Sequence, residues 1–249
     1  VFDTWFSSGQ WPFAVLMAQR TAHSAQQDDF EKFYPTNVMA TGYDILFFWV
    51  ARMMMFGLYR TGEMPFKSVY LHGLVRDKDK QKMSKSKGNV VDPLGIAETY
   101  GMDAVRMGLV AGTAAGNDIA LSEDKIRGYR NFATKIWNIA RFILMNQQGT
   151  INNKQLIKIQ FSAAGKKNIK EFEAVKKKVT REIETFAFHR AAEDIYHYIW
   201  HTFADKIVEE AKPRLRGENE SERTAAAAML LYIFTGCLKI LHPFMPFVT

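Results

Sequence analysis

The segment NVMATGYDILFFWVARMMMFGLY, residues 37–59, decides the fold of the first part of the chain. Its first five residues are typical of a short strand, and residues 44–59 predict a helix that is apolar on almost every side and therefore buried. The segment SVYLHG, residues 68–73, predicts a second short strand. Two strands joined by one helix lie parallel, because the chain crosses back over the sheet before the second strand begins. We therefore expect a parallel sheet with a crossover helix.

The carboxyl ends of these two strands are the expected place for a ligand, as in other open parallel sheets. Gly42 and Asp44 follow the first predicted strand, and His72 and Gly73 end the second. Glycine lets the backbone approach a ligand closely, and a carboxylate binds amino or hydroxyl groups. Asp44 also fits the N-cap of the predicted helix, and the two roles are compatible.

The rest of the chain predicts helices. Asp92, Pro93 and Gly101 have the residue types of an N-cap, a first helical position and a C-terminal stop, and another helix is predicted over residues 103–110. From residue 122 onward the patterns are long and helical, except for a polar, lysine-rich linker or loop that leads into a helix start over residues 149–170. Further helical patterns cover residues 172–212 and 222–241. The helix that Ser122 begins has its predicted apolar face at Ile126, Tyr129, Ala133, Trp137, Ala140 and Leu144.

Composition limits the class of protein. The chain has 249 residues, 47% of them hydrophobic, which is enough for one large or two small domains. Its net charge of +7 favours anionic partners such as nucleic acid or nucleotide phosphates. A single cysteine, Cys237, excludes a disulfide framework and predicts a buried thiol in a reducing compartment. The most hydrophobic stretch, residues 45–58, contains Arg52 and is shorter than the roughly 20 residues of a membrane span, so we expect a cytoplasmic protein without a membrane segment.

The strongest chemical motif is the run Lys82-Met83-Ser84-Lys85-Ser86, which continues to Gly88 and Asn89. Lysines on such a loop stabilise negative charge that develops on phosphate groups during a reaction. A random Lys/Ser run would more often be a solvated basic loop. This run, however, resembles at every position the KMSKS signature of the class I aminoacyl-tRNA synthetases.

Within that family the chain resembles the valyl branch. The resemblance rests on residues 3–8 (DTWFSS), 11–13 (WPF), 33–36 (FYPT), 41–49 (TGYDILFFW) and 72–77 (HGLVRD). The isoleucyl branch is expected to carry Gln-His-Arg where this chain has Ile45, Leu46 and Phe47, so it is the less favoured alternative. A non-catalytic tRNA-binding module with a relict loop is the alternative from another functional class.

The resemblance implies a Rossmann-like α/β half domain over residues 1–121, followed by an all-α bundle of the anticodon-binding type over residues 122–249. It implies that Lys82 and Lys85 are catalytic and that Trp5, Ile45 and Trp49 line a valine pocket, although plain core packing would also explain these three. The implied ligands are L-valine, ATP with Mg²⁺ as a substrate, and tRNA(Val). The resemblance implies no metal held by the protein itself, and it implies that the parent protein is a monomer. The residues implied to bind ATP or the adenylate are Gly42, Asp44, His72, Gly73, Met83, Ser84, Lys85 and Ser86.

The helical part resembles the anticodon-binding domain at residues 200–206, 209–213 and 242–247, but it has ADKIV at residues 204–208 where many relatives carry CDWYI. His189, Glu193, His197 and His201 share one helix face and are expected to form a polar stripe rather than a metal site.

The sequence does not contain every part of the family pattern. No histidine lies in a HIGH-type element, and the editing domain and the carboxyl-terminal coiled coil of the valyl branch are also not found. The chain opens on Val1 and closes on an apolar segment. We therefore expect an internal fragment of a longer enzyme, inactive by itself.

Overall fold

The computed structural model describes residues 2–19, 29–77, 79–84, 86, 89, 92–147 and 159–249. The chain forms two compact units. Residues 1–74 and 115–118 form the first, here called the sheet unit, and residues 75–114 and 119–249 form the second, the helical unit. The division expected at residues 121 and 122 remains a prediction.

In the sheet unit, two strands pair in parallel. Thr36 lies opposite Phe66 and Gly42 lies opposite His72, which confirms the predicted strand pair. Because the strands end together, Gly42 and His72 share the carboxyl edge of the sheet. The elements of this unit are the helices α1 (Thr4–Gly9), α2 (Trp11–Gln19), α3 (Asp29–Phe33) and α4 (Arg52–Thr61) and the strands β1 (Thr36–Gly42) and β2 (Phe66–His72).

The crossover helix is present, but it begins with two irregular turns. A 3₁₀ turn at Tyr43–Ile45 leads into a π-helical segment at Leu46–Ala51, and α4 follows. The prediction that this helix is buried on most sides is wrong. Val50 and Met53 are fully buried, whereas Phe47 is 79% exposed and Tyr59 is 92% exposed. Among the described residues of this unit, a two-stranded sheet and three short helices are too few to surround an apolar helix.

In the helical unit, the strands β3 (Val75–Arg76) and β4 (Ile119–Ala120) form a short parallel pair. The predicted start and end of the helix that follows the signature loop are confirmed. The Asp92 carboxylate accepts hydrogen bonds from the backbone N–H groups of Leu94 and Gly95, and Gly101 ends the helix with a φ of +87°. The elements of this unit are β3 (Val75–Arg76), α5 (Pro93–Tyr100), α6 (Met102–Val110), β4 (Ile119–Ala120), α7 (Glu123–Met145), α8 (Ala163–Glu184), α9 (Phe188–His197), a π-helical segment (Tyr198–Val208), α10 (Glu209–Arg216) and α11 (Glu220–Leu241).

The core of the helical unit is built from aromatic and aliphatic side chains of α7 to α11. Phe132, Phe172 and Phe203 are fully buried there. Cys237 is also fully buried in this core, as expected, and burial raises the pKa of its thiol.

The apolar face predicted for α7 is wrong for two of its six residues. Trp137 is 61% exposed, and Leu144 is exposed as well. The stripe that is buried is rotated by roughly a quarter-turn about the helix axis from the predicted one, since successive residues of a helix are 100° apart. It consists of Phe132, Ile136, Ile139 and Ile143, besides Ile126 at the start of the helix. Two neighbouring stripes of α7 are apolar, and packing against the other helices selects one of them.

The helical pattern over residues 172–212 is broken once, between α8 and a continuous helical run that consists of α9, the π-helical segment and α10. Phe186, with a φ of +59°, lies in the break between α8 and α9. α8 begins at Ala163, inside the predicted linker, of which residues 149–158 lie outside the described residues. Among the described residues, one helix, α11, is long and apolar enough to cross a membrane, but half of its apolar stretch is buried inside the protein.

Candidate active site

The carboxyl edge of the sheet unit brings three of the predicted site residues together. A Cβ atom placed on Gly42 would lie 2.6 Å from Oδ1 of Asp44 and 3.8 Å from Cε1 of His72. The Asp44 carboxylate therefore folds back over the end of β1, towards the residue that ends β2. It caps no helix, because Gly42 occupies the N-cap position and no side chain bonds there. Asp44 and His72 are both exposed and available to a ligand.

Gly73 lies directly beyond this edge and is packed against another stretch of backbone. A Cβ on Gly73 would collide with the carbonyl group of Asn117, so only glycine fits this position. The imidazole Nδ1 of His72 lies 2.9 Å from the Gly73 carbonyl oxygen. This contact orients the ring of His72 at the edge of the sheet.

Asp118 organises the same edge, although no motif in the sequence marks it as a site residue. Its Oδ1 accepts a hydrogen bond of 3.0 Å from the Tyr43 hydroxyl and one of 2.9 Å from the Leu74 N–H. One carboxylate thus ties the turn after β1 to the residues after β2. The sequence Gly116-Asn117-Asp118 predicts a turn, but nothing in it indicates these distant partners.

The residues predicted to line a valine pocket lie on α1, in the 3₁₀ turn after β1 and on the π-helical segment that follows it. The Trp49 indole N–H donates a 3.3 Å hydrogen bond to the Ser8 carbonyl of α1. The rings of Trp5 and Phe48 lie 6.0 Å apart between centroids. Trp5, Ile45 and Trp49 are all half-buried. Both tryptophans thus contribute to the contact between α1 and the π-helical segment, and the place of Ile45 beside them remains a prediction.

The signature loop, residues 82–89, lies in the helical unit and continues from a hairpin. Lys82 pairs with Arg76 in an antiparallel bridge, and the hydroxyl oxygens of Ser84 and Ser86 lie 3.2 Å apart. Met83 and Ser84 are half-buried, whereas Lys82 and Ser86 are exposed. Lys85 lies outside the described residues, so its catalytic role remains a prediction.

A groove of about 480 Å³ in the helical unit runs beside α7. Its walls come from α7, the π-helical segment and α10, and they include Asn131, Asn138 and Phe142. The Lys135 ammonium bonds to Asp205 at 2.7 Å and lies 4.2 Å from the ring centroid of Trp200. This hydrogen bond holds the pKa of Asp205 below its ordinary value.

The surface of α7 is basic. Between residues 125 and 145 the helix carries five basic residues and no acidic residue. One of them, Lys125, is half-buried and donates to the Ala111 carbonyl, and burial lowers the pKa of its ammonium. Exposed Trp137 projects from the same helix. The five basic residues are Lys125, Arg127, Arg130, Lys135 and Arg141.

The histidine stripe contains stacked rings. His197 and His201 lie 5.6 Å apart between ring centroids, and the His201 Nδ1 atom lies 3.6 Å from the Asp205 carboxylate. Within the described residues, no group of three or more His, Cys, Asp or Glu side chains has the arrangement of a metal site.

Two family models match the chain. Residues 1–122 match the family described as tRNA synthetases class I (I, L, M and V). Residues 166–249 match the anticodon-binding domain of tRNA ligase. The first match contains the sheet unit and the signature loop, and the second contains α9 to α11 and most of α8.

Individual relatives agree with these matches over the whole chain. The chain is 45% identical over 249 residues to a valine–tRNA ligase from Clostridium acetobutylicum, of which it covers 28%. It is 46% identical over 254 aligned residues to a valine–tRNA ligase from Rhodopseudomonas palustris, of which it covers 25%. The chain belongs to the class I tRNA synthetases. It spans about a quarter of the length of these relatives.

Solved structures show the same fold as this synthetase chain. The LeuRS of Agrobacterium radiobacter K84, in its ternary complex with tRNA and LeuAMS, has a TM-score of 0.76 at 20% identity. That match covers 99% of this chain and 30% of the other. Mycobacterium tuberculosis methionyl-tRNA synthetase bound by methionyl-adenylate has a TM-score of 0.71 at 23% identity, covering 93% of this chain and 47% of the other. The expected fold class, a Rossmann-like half domain followed by a helical bundle, is confirmed.

Proposed function

We propose that this chain is the part of a valine–tRNA ligase that carries the signature loop and the anticodon-binding bundle. The parent enzyme activates L-valine with ATP to valyl-adenylate and transfers the valyl group to tRNA(Val). The observation that supports this most strongly is the 45% identity, over all 249 residues, to a protein of that name. The favoured location is the cytoplasm, and the favoured state of the parent is a monomer.

In the proposed activation step, a valine carboxylate oxygen attacks the α-phosphorus of ATP, and the bond to the pyrophosphate oxygen breaks. Negative charge grows on the departing pyrophosphate. Lys82 and Lys85 stabilise that charge more in the transition state than in the ground state, which is what lowers the barrier. Mg²⁺ enters with ATP, because it binds mainly through phosphate oxygens.

The sheet edge is the proposed site of the adenylate. Gly42 lets the Asp44 carboxylate lie close over the end of β1, and this exposed carboxylate can accept a hydrogen bond from an amino or hydroxyl group. His72, oriented by its contact with the Gly73 carbonyl, is the proposed neighbour of the adenine. Trp5, Ile45 and Trp49 are the proposed walls around the valine methyl groups.

The helical unit is the proposed tRNA-binding part. On α7, Arg130 and Arg141 are exposed cations for phosphates, and Trp137 is an exposed indole for stacking on an unpaired base. The adjacent groove offers the amides of Asn131 and Asn138, which are able to bond with base edges. Lys176 and Lys178 are less suited to this role, because each pairs with a carboxylate of the same unit at 2.6 Å.

Valine-dependent exchange of pyrophosphate into ATP, measured on the full-length parent protein, tests the proposal. We expect exchange with valine and far less with isoleucine. Preference for isoleucine would assign the chain to the isoleucyl branch instead. Binding of tRNA without exchange for either amino acid would favour the non-catalytic module.

A further inference from the structure

Asn89, which follows the signature run, ties two points of the signature loop to the hairpin turn before it. Its amide Nδ2 donates to Oδ2 of Asp77 at 2.7 Å and to the carbonyl oxygen of Lys82 at 3.3 Å. Its Oδ1 accepts from the backbone N–H of Ser84 at 2.9 Å. The two acceptors and the one donor fix the orientation of the amide. In the opposite orientation the amide oxygen would face two acceptors and the NH₂ group would face the Ser84 N–H donor.

Asp77 holds the other side of this arrangement. While Oδ2 accepts from Asn89, its Oδ1 accepts from the backbone N–H groups of Asp79 at 3.0 Å and Gln81 at 2.8 Å. The backbone of Asp77 also pairs with Gln81 across the hairpin turn. A single carboxylate thus joins the turn before the signature loop to the residue at its end.

We propose that Asn89 and Asp77 are positioning residues for the activation step, because their side chains fix the backbone of the signature loop at Lys82 and Ser84. This inference rests on the proposed valine–tRNA ligase function. Neither residue needs to touch the substrate. Together they fix the backbone at Lys82 and Ser84, on both sides of Met83, so that less conformational freedom is lost when the cations meet the phosphates.

The chemistry of the contacts explains why an amide is needed at position 89. Aspartate has no hydrogen to donate to Asp77 or to the Lys82 carbonyl, and alanine reaches none of the three partners. The bond from the amide to the charged carboxylate is the strongest of the set, since charge-assisted hydrogen bonds are about twice as strong as neutral ones.

The experiment measures valine-dependent pyrophosphate exchange on the full-length parent protein with Asn89→Ala, Asn89→Asp and the exchanged pair Asp77→Asn/Asn89→Asp. We expect Asn89→Ala to lower kcat on the order of 10- to 100-fold, as a small displacement of a reacting group does. The KM for valine should stay within about twofold of wild type, because the proposed valine pocket lies in the other unit. Asp79→Asn is the matched control, since the side chain of this neighbouring residue enters none of the described hydrogen bonds, and it should behave like wild type.

Asn89→Asp supplies a pH signature. It places a second carboxylate against Asp77, in a cavity that Asp79, Glu123 and Asp124 also line. Like charges raise the pKa of one of the carboxyl groups, and the protonated form can donate again. Activity relative to wild type should therefore rise as the pH falls from about 8 to about 6, whereas Asn89→Ala should show no such recovery. The exchanged pair should restore part of the lost activity at about pH 8, because a donor at residue 77 again faces an acceptor at residue 89, whereas the bond to the Lys82 carbonyl stays absent.

The outcomes separate the two proposals. Wild-type protein without valine-dependent exchange would overturn the proposed function. A normal wild type with Asn89→Ala and Asn89→Asp both within about threefold of it would overturn the positioning role alone, since displaced catalytic groups normally cost more. The positioning role is also overturned if the exchanged pair restores the melting temperature of the single variants but not their kcat. Recovery of kcat in the exchanged pair, with an unchanged KM for valine, supports the proposal.

Discussion

The helical unit buries its largest aromatic residues more completely than the sheet unit does. In the helical unit Phe132, Phe172 and Phe203 are completely buried, whereas in the sheet unit Phe2 and Phe47 are more than three-quarters exposed. Sequence patterns alone show no such contrast, because both regions are rich in apolar helices. The difference lies in the available partners: each helix of the bundle packs its apolar stripe against others, while a parallel pair of strands offers little surface. An apolar pattern indicates which side chains favour burial, not whether the chain supplies the surface that buries them.

The largest effect is expected in the core of the bundle. Phe172→Ala should lower the free energy of unfolding of this chain by about 3–5 kcal/mol, because it removes a fully buried ring and leaves a cavity. Tyr59→Ala, at a 92% exposed position of the sheet unit, should change it by about 0.5 kcal/mol or less. Urea denaturation followed by far-UV circular dichroism measures both variants. Equal losses would remove the contrast between the units.

Gly236 gives this test an internal control. A Cβ on Gly236 would collide with the ring of Phe172, so Gly236→Ala alone should destabilise the bundle. Combined with Phe172→Ala, the added methyl group enters the space that the ring vacated. The double variant should therefore be more stable than the sum of the two losses predicts, and simple additivity would show that the two residues do not share this space.

The next largest effect concerns the signature loop. In the full-length parent, Lys85→Ala should raise the activation barrier for adenylate formation by about 3–4 kcal/mol, because it removes a donor to the transition-state charge. The rate should fall roughly a hundred- to a thousandfold. The KM for valine should change far less, and Lys82→Ala should slow the reaction less than Lys85→Ala. Pyrophosphate exchange measures both. Rates within about threefold of wild type would contradict the role assigned to the loop.

The sequence predicts those features that depend on local residue types. Asp92, Pro93 and Gly101 marked a helix that the structure confirms, and β1 and β2 pair as expected, because caps and short strands are encoded within a few residues. Contacts between distant residues were not predictable in this way. Asp118 binds Tyr43, which is 75 positions away, and Asn89 binds Asp77, which is 12 positions away. The sequence pattern also mispredicts the burial of Trp137 on α7, since two apolar stripes of that helix compete and only tertiary packing selects one.

A smaller effect is expected where the sheet unit meets its proposed substrate. If Ile45 lines the valine pocket, Ile45→Ala in the parent should improve activation of isoleucine relative to valine by about 1–3 kcal/mol, the worth of one methylene in an apolar pocket. Trp49→Ala should instead weaken activation of valine itself, because the indole wall is removed. Exchange with both amino acids measures this. If Ile45→Ala leaves the preference for valine over isoleucine unchanged, Ile45 is an ordinary packing residue and not part of the pocket. Threonine is not a useful probe here, because weak discrimination against it is already the well-known behaviour of valyl-tRNA synthetases.

The smallest effect concerns the outer face of α7. Arg141 is exposed and lies one turn from exposed Trp137, so it is suited to a phosphate contact rather than to stability. Arg141→Ala should weaken binding of tRNA by this chain and reduce the slope of log K against log salt by about 1, as expected for one phosphate contact. Lys177→Ala, an exposed lysine of α8, is the matched control with the same loss of charge. A salt titration of tRNA binding separates a local contact from a general effect of net charge. If both variants reduce the slope equally, tRNA is attracted by the overall positive charge and α7 is not its specific binding face. If only Arg141→Ala does so, the exposed side of a helix whose other side forms the core has a binding function of its own.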